Sequence, residues 1–349
     1  MCEDRLIYLD LLRVAASFFV IMLHVSATDW ASVSVYSWVW EIYNGYDSLA
    51  RWAVPAFVMI SGCFFLNDKK EMPLKKIAQK YIWRLVKGFF FWSVLYAGMN
   101  CCIALYRGMK GDDLIWTFLQ MVLRGHYHLW FIYMMIGLYL ITPFLRPIAR
   151  SKKLLEYFLL LSYIFAIIIP MAGYIPFLNS VGGITSSMHM YFVLGYPLYF
   201  VAGYYFHTYP IGKWKRLVYV LGVCGAVATI VGTSMLSHYG NSPTIVFYEH
   251  FTPNCFAVSL AIFVFFQEEL SKIRWSARVK QGIVLLSQCS FGIYLVHDFY
   301  RAIIMKALTI TKSCAAIWAI PLVTLIIFVC SFGTIYLMRK IPILRRNVL

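Results

Sequence analysis

The sequence predicts an all-α fold, a polytopic membrane bundle of about ten transmembrane helices, and three observations predict it. Hydrophobic residues make up 61% of the 349 positions, charged residues only 13%, and mean hydropathy is +0.71. A soluble domain carries about a quarter charged residues, so this chain has too little polar surface to coat a globule and lipid must be its main solvent. The apolar residues gather into ten runs near the length of about 20 residues that a spanning helix needs. The basic residues alternate between rich and poor connecting segments, the pattern that orients helices in a bilayer. Aromatics at 18%, with 25 Tyr and 11 Trp, suit belts of rings at the headgroups.

The runs are read at 7–27, 46–66, 85–105, 129–145, 154–175, 191–208, 217–236, 253–268, 283–304 and 315–338. The first follows Arg5, as a signal peptide would. Asp10 and Arg13 interrupt its start and every later run is equally apolar, so it is expected to be a retained helix. The second carries Pro55 and ends on Ile60-Ser61-Gly62. Residues 68–84 then read as a basic amphipathic segment (Leu74, Ile77, Ala78 and Tyr81 against Lys75, Lys76 and Lys80), expected to lie on the anionic inner leaflet. After the third run, residues 112–124 predict a short outer helix capped by Asp112 or Asp113. The fourth and eighth runs are short, and the sixth follows His189. No repeat, low-complexity tract or soluble appendage of domain size interrupts the series, so residues 1–349 are expected to form one membrane domain.

The net charge of +16 does not point to nucleic acid, because Lys and Arg fall between the apolar runs rather than along one face. With the N-terminus placed in the cytoplasm, 23 of the 31 basic residues fall in inner segments, six in outer loops, and Arg13 and Arg51 within spans. That split supports ten spans with both termini cytoplasmic, in a multi-pass membrane protein. Most of the nine cysteines lie in apolar runs, without CxxC or zinc-like spacing. They are expected to pack, and neither a metal nor a bound cofactor is expected.

Three ionisable residues mark the first run. Arg13 and His24 are eleven residues apart, which at about 100° per residue leaves them within about 20° of the same helix face. Asp10, three residues before Arg13, shares that broad stripe. Such groups are costly in lipid and normally face a bundle interior or a wet cavity. The structural alternative is an Asp10–Arg13 ion pair at the headgroups and a hydrogen-bonded His24. The rise from Arg13 to His24 is about 16 Å, which suits a long substrate with its anionic end at Arg13 and its reactive end at His24. Arg51, His128, His189 and His297 fall at the depth of His24 on the predicted topology, which suggests a polar chamber without showing that their helices are neighbours. Pro55, Ser61 and Gly62 either line a cavity or serve ordinary close packing.

The sequence resembles the acyltransferase family 3 membrane proteins. The likeness rests on Leu9-Asp10-x-x-Arg13 followed by His24, on Pro55-Ala-Phe-Val-Met-Ile-Ser61-Gly62, on Tyr127-His128-Leu129-Trp130-Phe131 with Tyr139-Leu-Ile-Thr-Pro143, and on Phe291-Gly292-Ile293-Tyr294-Leu-Val-His297. These landmarks span nearly the whole chain in family order. The stand-alone form is most similar to bacterial O-acetyltransferases that modify surface glycans, including the enterobacterial-common-antigen type. The resemblance implies transfer of an acyl group, most simply acetyl, from cytoplasmic acyl-CoA to a hydroxyl of a surface glycan or its lipid-linked precursor. It assigns the essential residues to His24 and Arg13. Arg13 would hold CoA phosphate, and His24 would act at the thioester as general base or transient acyl carrier. Asp10 would orient Arg13, and Arg51 or His128 would stabilise the oxyanion. Ser61, Trp130, Tyr294 and His297 join the expected substrate-binding set. The alternative class is a transporter of a glycan or small polar solute, which would more often show a repeat and broken helices at the midplane. Fused racemases share the amino-terminal landmarks, but no racemase domain is expected within these residues.

Overall fold

The first apolar run folds as α1 (Ile7–Ala27), and the rest of the bundle is arranged around it. The structure is a computed structural model that describes residues 5–108, 111–175, 178, 187–189, 195–307 and 315–347. Twelve further helices follow: α2 (Trp38–Ala50), α3 (Ala53–Phe65), α4 (Trp83–Tyr106), α5 (Gly111–Arg124), α6 (Trp130–Ala149), α7 (Lys152–Tyr163), α8 (Tyr196–Thr208), α9 (Lys215–Tyr239), α10 (Pro253–Glu268), α11 (Ala277–Ala307), α12 (Ala316–Met338) and α13 (Pro342–Asn347). Among the described residues there is no strand. Nine helical stretches among the described residues are long and apolar enough to cross a membrane. The tenth expected span is represented by α8, whose 13 described residues are too few for that criterion; Pro197 through Tyr204 are all buried. Residues 191–194 lie outside the described set.

Local chemistry sets several helix starts. Ser37, Ser151 and Thr252 each accept a backbone N–H from the first turn of α2, α7 and α10, and Pro253 opens α10 where its missing N–H costs nothing. Two predicted boundaries change. The run read as 46–66 begins at Trp38 and is broken at Arg51–Trp52, so the interval 28–45 between the first two runs is partly helical. Pro55 sits in the first turn of α3, where it breaks no hydrogen bond. The amphipathic segment forms a turn at Leu74–Lys76 and a π-helical stretch at Ile77–Ile82 that leads into α4. Its expected apolar face divides: Ile77 is buried, while Leu74 and Ala78 are exposed. The outer helix is found as α5, but the side chains of Asp112 and Asp113 are outside the described set.

α1 packs against α2, α3, α10, α11 and α12, which makes its polar stripe an interior feature. α3 and α8 cross at backbone contact. A Cβ on Gly62 would lie 1.8 Å from the Phe200 carbonyl oxygen, and one on Gly203 would lie 2.1 Å from that of Met59. The Cys63 thiol donates to the Gly203 carbonyl across the same crossing. Gly62 therefore serves close packing, the second of the two roles its sequence allowed.

Candidate active site

The Asp10–Arg13 part of the stripe on α1 lines a cavity of about 1810 Å³ at the end of the bundle where the helices carry their basic residues. α1 contributes Arg13, and Arg5 just precedes it; the segment before α4 and its first turns contribute Lys80, Arg84 and Lys87; the carboxyl-terminal end contributes Arg339 and Arg345. Lys70 completes eight cationic side chains, against Asp10 as the one carboxylate in the lining among the described residues. A cavity so charged attracts anions. Asp10 is buried and accepts two hydrogen bonds from Arg5, at 2.6 and 2.8 Å, and one from Ser287 of α11 at 2.5 Å. Arg13 Nη1 donates to Ser287 Oγ at 3.4 Å. Asp10 therefore positions Arg13 through Ser287, and its direct ion-pair partner is Arg5 rather than Arg13. Ser61 lines the cavity while its hydroxyl returns to the Phe57 carbonyl at 2.9 Å, and His207, also in the lining, meets the Tyr8 hydroxyl through Nδ1 at 2.6 Å.

Away from the basic end, the cavity closes on three aromatic rings. Phe57 meets Phe131 at 6.0 Å between centroids, and Phe131 meets Tyr294 at 5.4 Å. Tyr294 is buried, and its hydroxyl donates to the carbonyl of His128. Beyond this partition lies a cluster of imidazoles. His24 packs on His297 (5.2 Å) and edge-on to Tyr127 (5.6 Å); His297 packs on His128 (5.1 Å); His128 packs on His126 (5.1 Å). The shared depth of His24, His128 and His297 thus becomes contact. His128 and His297 are fully or nearly fully buried, and the Nε2 atom of each lacks a hydrogen-bond partner among the described residues.

Arg51 and Trp130 stand in a neighbouring group. Arg51, at the break between α2 and α3, pairs with buried Asp47, and its guanidinium lies 4.1 Å from the centre of the Tyr248 ring. Trp130, 42% exposed, faces Tyr196 and His250, and the Tyr196 hydroxyl meets His250 Nδ1 at 2.9 Å. Arg51 is thus held in an ion pair, and no hydrogen bond links it to the imidazole cluster among the described residues. His189 is exposed and shares no ring contact with the cluster among the described residues.

Asp298 is the main residue that sequence reasoning passed over. Its Oδ1 accepts from Arg301 Nε at 2.5 Å and from the Tyr127 hydroxyl at 2.6 Å, and its Oδ2 lies 3.6 Å from His126 Nδ1. Tyr96 stacks on His126 and braces the same turn of α11, donating to the Leu295 carbonyl and accepting from the Phe299 N–H. A signal was present: an acid and an arginine three residues apart inside an apolar run, directly after His297. His126, His128 and Asp298 also offer ligand atoms all within 4.8 Å of one another, a spacing that a metal ion could bridge. The same atoms face one another and Arg301 in a closed set of polar contacts.

A family model described as an acyltransferase domain matches residues 6–339. No curated protein and no solved structure matches the chain.

Proposed function

The chain belongs to the acyltransferase family whose domain it matches over nearly its whole length, and from that premise we propose that it is a membrane O-acyltransferase. It takes an acyl group, acetyl in the simplest case, from cytoplasmic acyl-CoA and gives it to a hydroxyl of a surface glycan or its lipid-linked precursor. The observation that carries this reading is the pair of sites along α1. A cavity lined by Arg13 and seven other cationic side chains stands at one end, and an imidazole cluster surrounds His24 about 16 Å further along the helix. CoA has the matching shape: a phosphorylated nucleotide at one end, a long uncharged arm, and a thioester at the other.

On this reading the basic end of the bundle is cytoplasmic, in the bacterial inner membrane, and both termini lie there. Arg13, held by Ser287, and the other guanidinium groups of the cavity bind the donor's phosphates. The pantetheine arm runs past Ser61 and between Phe57, Phe131 and Tyr294 to reach His24. There the imidazole acts on the thioester, as base or as transient acyl carrier. The acceptor arrives from the opposite side, where Trp130 and Tyr196 offer ring faces to a sugar. Arg51 keeps a supporting electrostatic role beside this group rather than contact with the oxyanion, because Asp47 already holds it.

The purified protein, given acetyl-CoA labelled in the acetyl group and a glycan acceptor, is expected to release CoA and label the acceptor in an alkali-labile ester. Label that never leaves CoA, together with acceptor uptake into proteoliposomes in the absence of CoA, would support the transporter instead.

A further inference from the structure

Two buried imidazole nitrogens lack partners among the described residues, on rings packed against each other with one of them also packed on His24, and their hydrogen-bonding characters are opposite. His297 Nδ1 lies 2.6 Å from the Tyr294 carbonyl oxygen. A carbonyl only accepts, so Nδ1 carries the proton and Nε2 of the neutral ring is a bare lone pair. His128 is set by a longer chain. Its Nδ1 lies 2.9 Å from His126 Nδ1, and that nitrogen in turn faces the Asp298 carboxylate at 3.6 Å. The carboxylate favours the proton on His126 Nδ1, which donates to His128 Nδ1 and leaves the His128 proton on Nε2. His128 and His297 pack ring to ring at 5.1 Å, and both Nε2 atoms are buried and unpaired among the described residues. Folded chains rarely leave such atoms unmatched unless a ligand or water completes them. An alcohol hydroxyl, one donor and one acceptor, completes this pair.

We propose that His128 and His297 form the seat of the acceptor hydroxyl and that His297 Nε2 is the general base that deprotonates it. The proposal rests on the acyltransferase reading and assigns the base to His297, leaving His24 on the acyl side of the reaction. The hydroxyl donates to His297 Nε2 and accepts from His128 Nε2–H. As its O–H bond breaks, the proton passes to His297 and the oxygen forms a bond to the acyl carbon. The carbon–sulfur bond of the thioester breaks, and the departing CoA thiolate takes the proton back from His297, which restores the neutral ring. His24 is suited to the acyl side because no hydrogen bond among the described residues fixes either of its ring nitrogens, whereas the backbone fixes His297. Asp298 is a positioning residue: it holds His126, and through it the tautomer of His128. The charged and titratable groups that surround His297 are His24 from α1, His126, Tyr127 and His128 before α6, Tyr96 from α4, and Tyr294, Asp298 and Arg301 of α11.

The test compares wild type with His297→Asn, His297→Gln and Asp298→Asn, measuring acetyl transfer across pH and CoA binding separately. His297→Asn keeps an N–H where Nδ1 donates to Tyr294 and removes Nε2; His297→Gln supplies a polar atom near Nε2 that cannot take a proton, and serves if the first variant fails to fold. Both are expected to lose transfer by about 100- to 10,000-fold, the range of a general base, with CoA binding unchanged. The decline of wild-type transfer at acid pH is expected to vanish in both, and to shift without vanishing in Asp298→Asn. Transfer within a few-fold of wild type in either folded His297 variant would overturn the proposal. So would stoichiometric zinc in the wild-type protein that is lost in Asp298→Asn, because His126 and His128 would then be ligands rather than a proton-ordering pair. A wild-type protein that transfers no acyl group at all would instead refute the acyltransferase reading.

Discussion

Arg13 reaches Ser287, and Ser287 donates onward to Asp10, so the first charged residues of α1 act as one linked set with α11. The stripe itself was legible in the sequence, because three ionisable groups on one face of a membrane helix are too costly to leave in lipid and so mark an interior or wet face. The partners were not legible. Arg5 lies before the helix and Ser287 lies 274 positions away from Arg13, and neither periodicity nor charge pattern encodes such a pairing. The reading of Arg13 as a phosphate ligand has a direct consequence. Arg13→Ala is expected to raise the KM for acyl-CoA by about 10- to 100-fold, the value of a charge-assisted hydrogen bond, with a smaller change in kcat. Arg13→Lys is expected to recover only part of the loss, since an ammonium lacks the planar fork that matches phosphate. Steady-state kinetics over acyl-CoA concentration checks both, and a kcat loss at constant KM would place Arg13 elsewhere in the mechanism.

At the scale of elements, each of the ten apolar runs has a helix, because length and apolarity are enough to specify one in lipid. Where helices meet was largely hidden. His24, His128 and His297 share a depth that counting residues can find, but their contact depends on which face each helix turns, and depth carries no such information. The α3–α8 crossing illustrates the same point: Gly62 was visible as a small residue, and its contact with the Phe200 carbonyl was not. Gly62→Ala puts a methyl group into that carbonyl and forces the two helices apart. It is expected to cost about 1–3 kcal/mol, as overpacking of a tight interior does, and to lower the thermal unfolding midpoint in detergent. Gly137→Ala, where nothing among the described residues lies within 4 Å of the added carbon, is the matched control and is expected not to lower the midpoint.

At the scale of the molecule, the basic residues that orient the helices are also those that line the cavity: Arg5, Lys80, Arg84, Arg339 and Arg345 all come from segments the charge pattern assigns to the cytoplasm. Orientation and donor binding therefore stand or fall together. In a background without native cysteines, Ser242→Cys is expected to react with a membrane-impermeant maleimide in intact cells, and Ser276→Cys only after lysis. Both positions are exposed, so the reverse result would put the basic cavity on the outer side and rule out cytoplasmic acyl-CoA as donor. The central claim is that His24 carries chemistry at the far end of a path whose near end binds the donor. Acetyl transfer and CoA binding measured on the same preparation of His24→Ala test it most directly. Transfer reduced to background with CoA bound as tightly as in wild type is the expected result; transfer at the wild-type rate would contradict it.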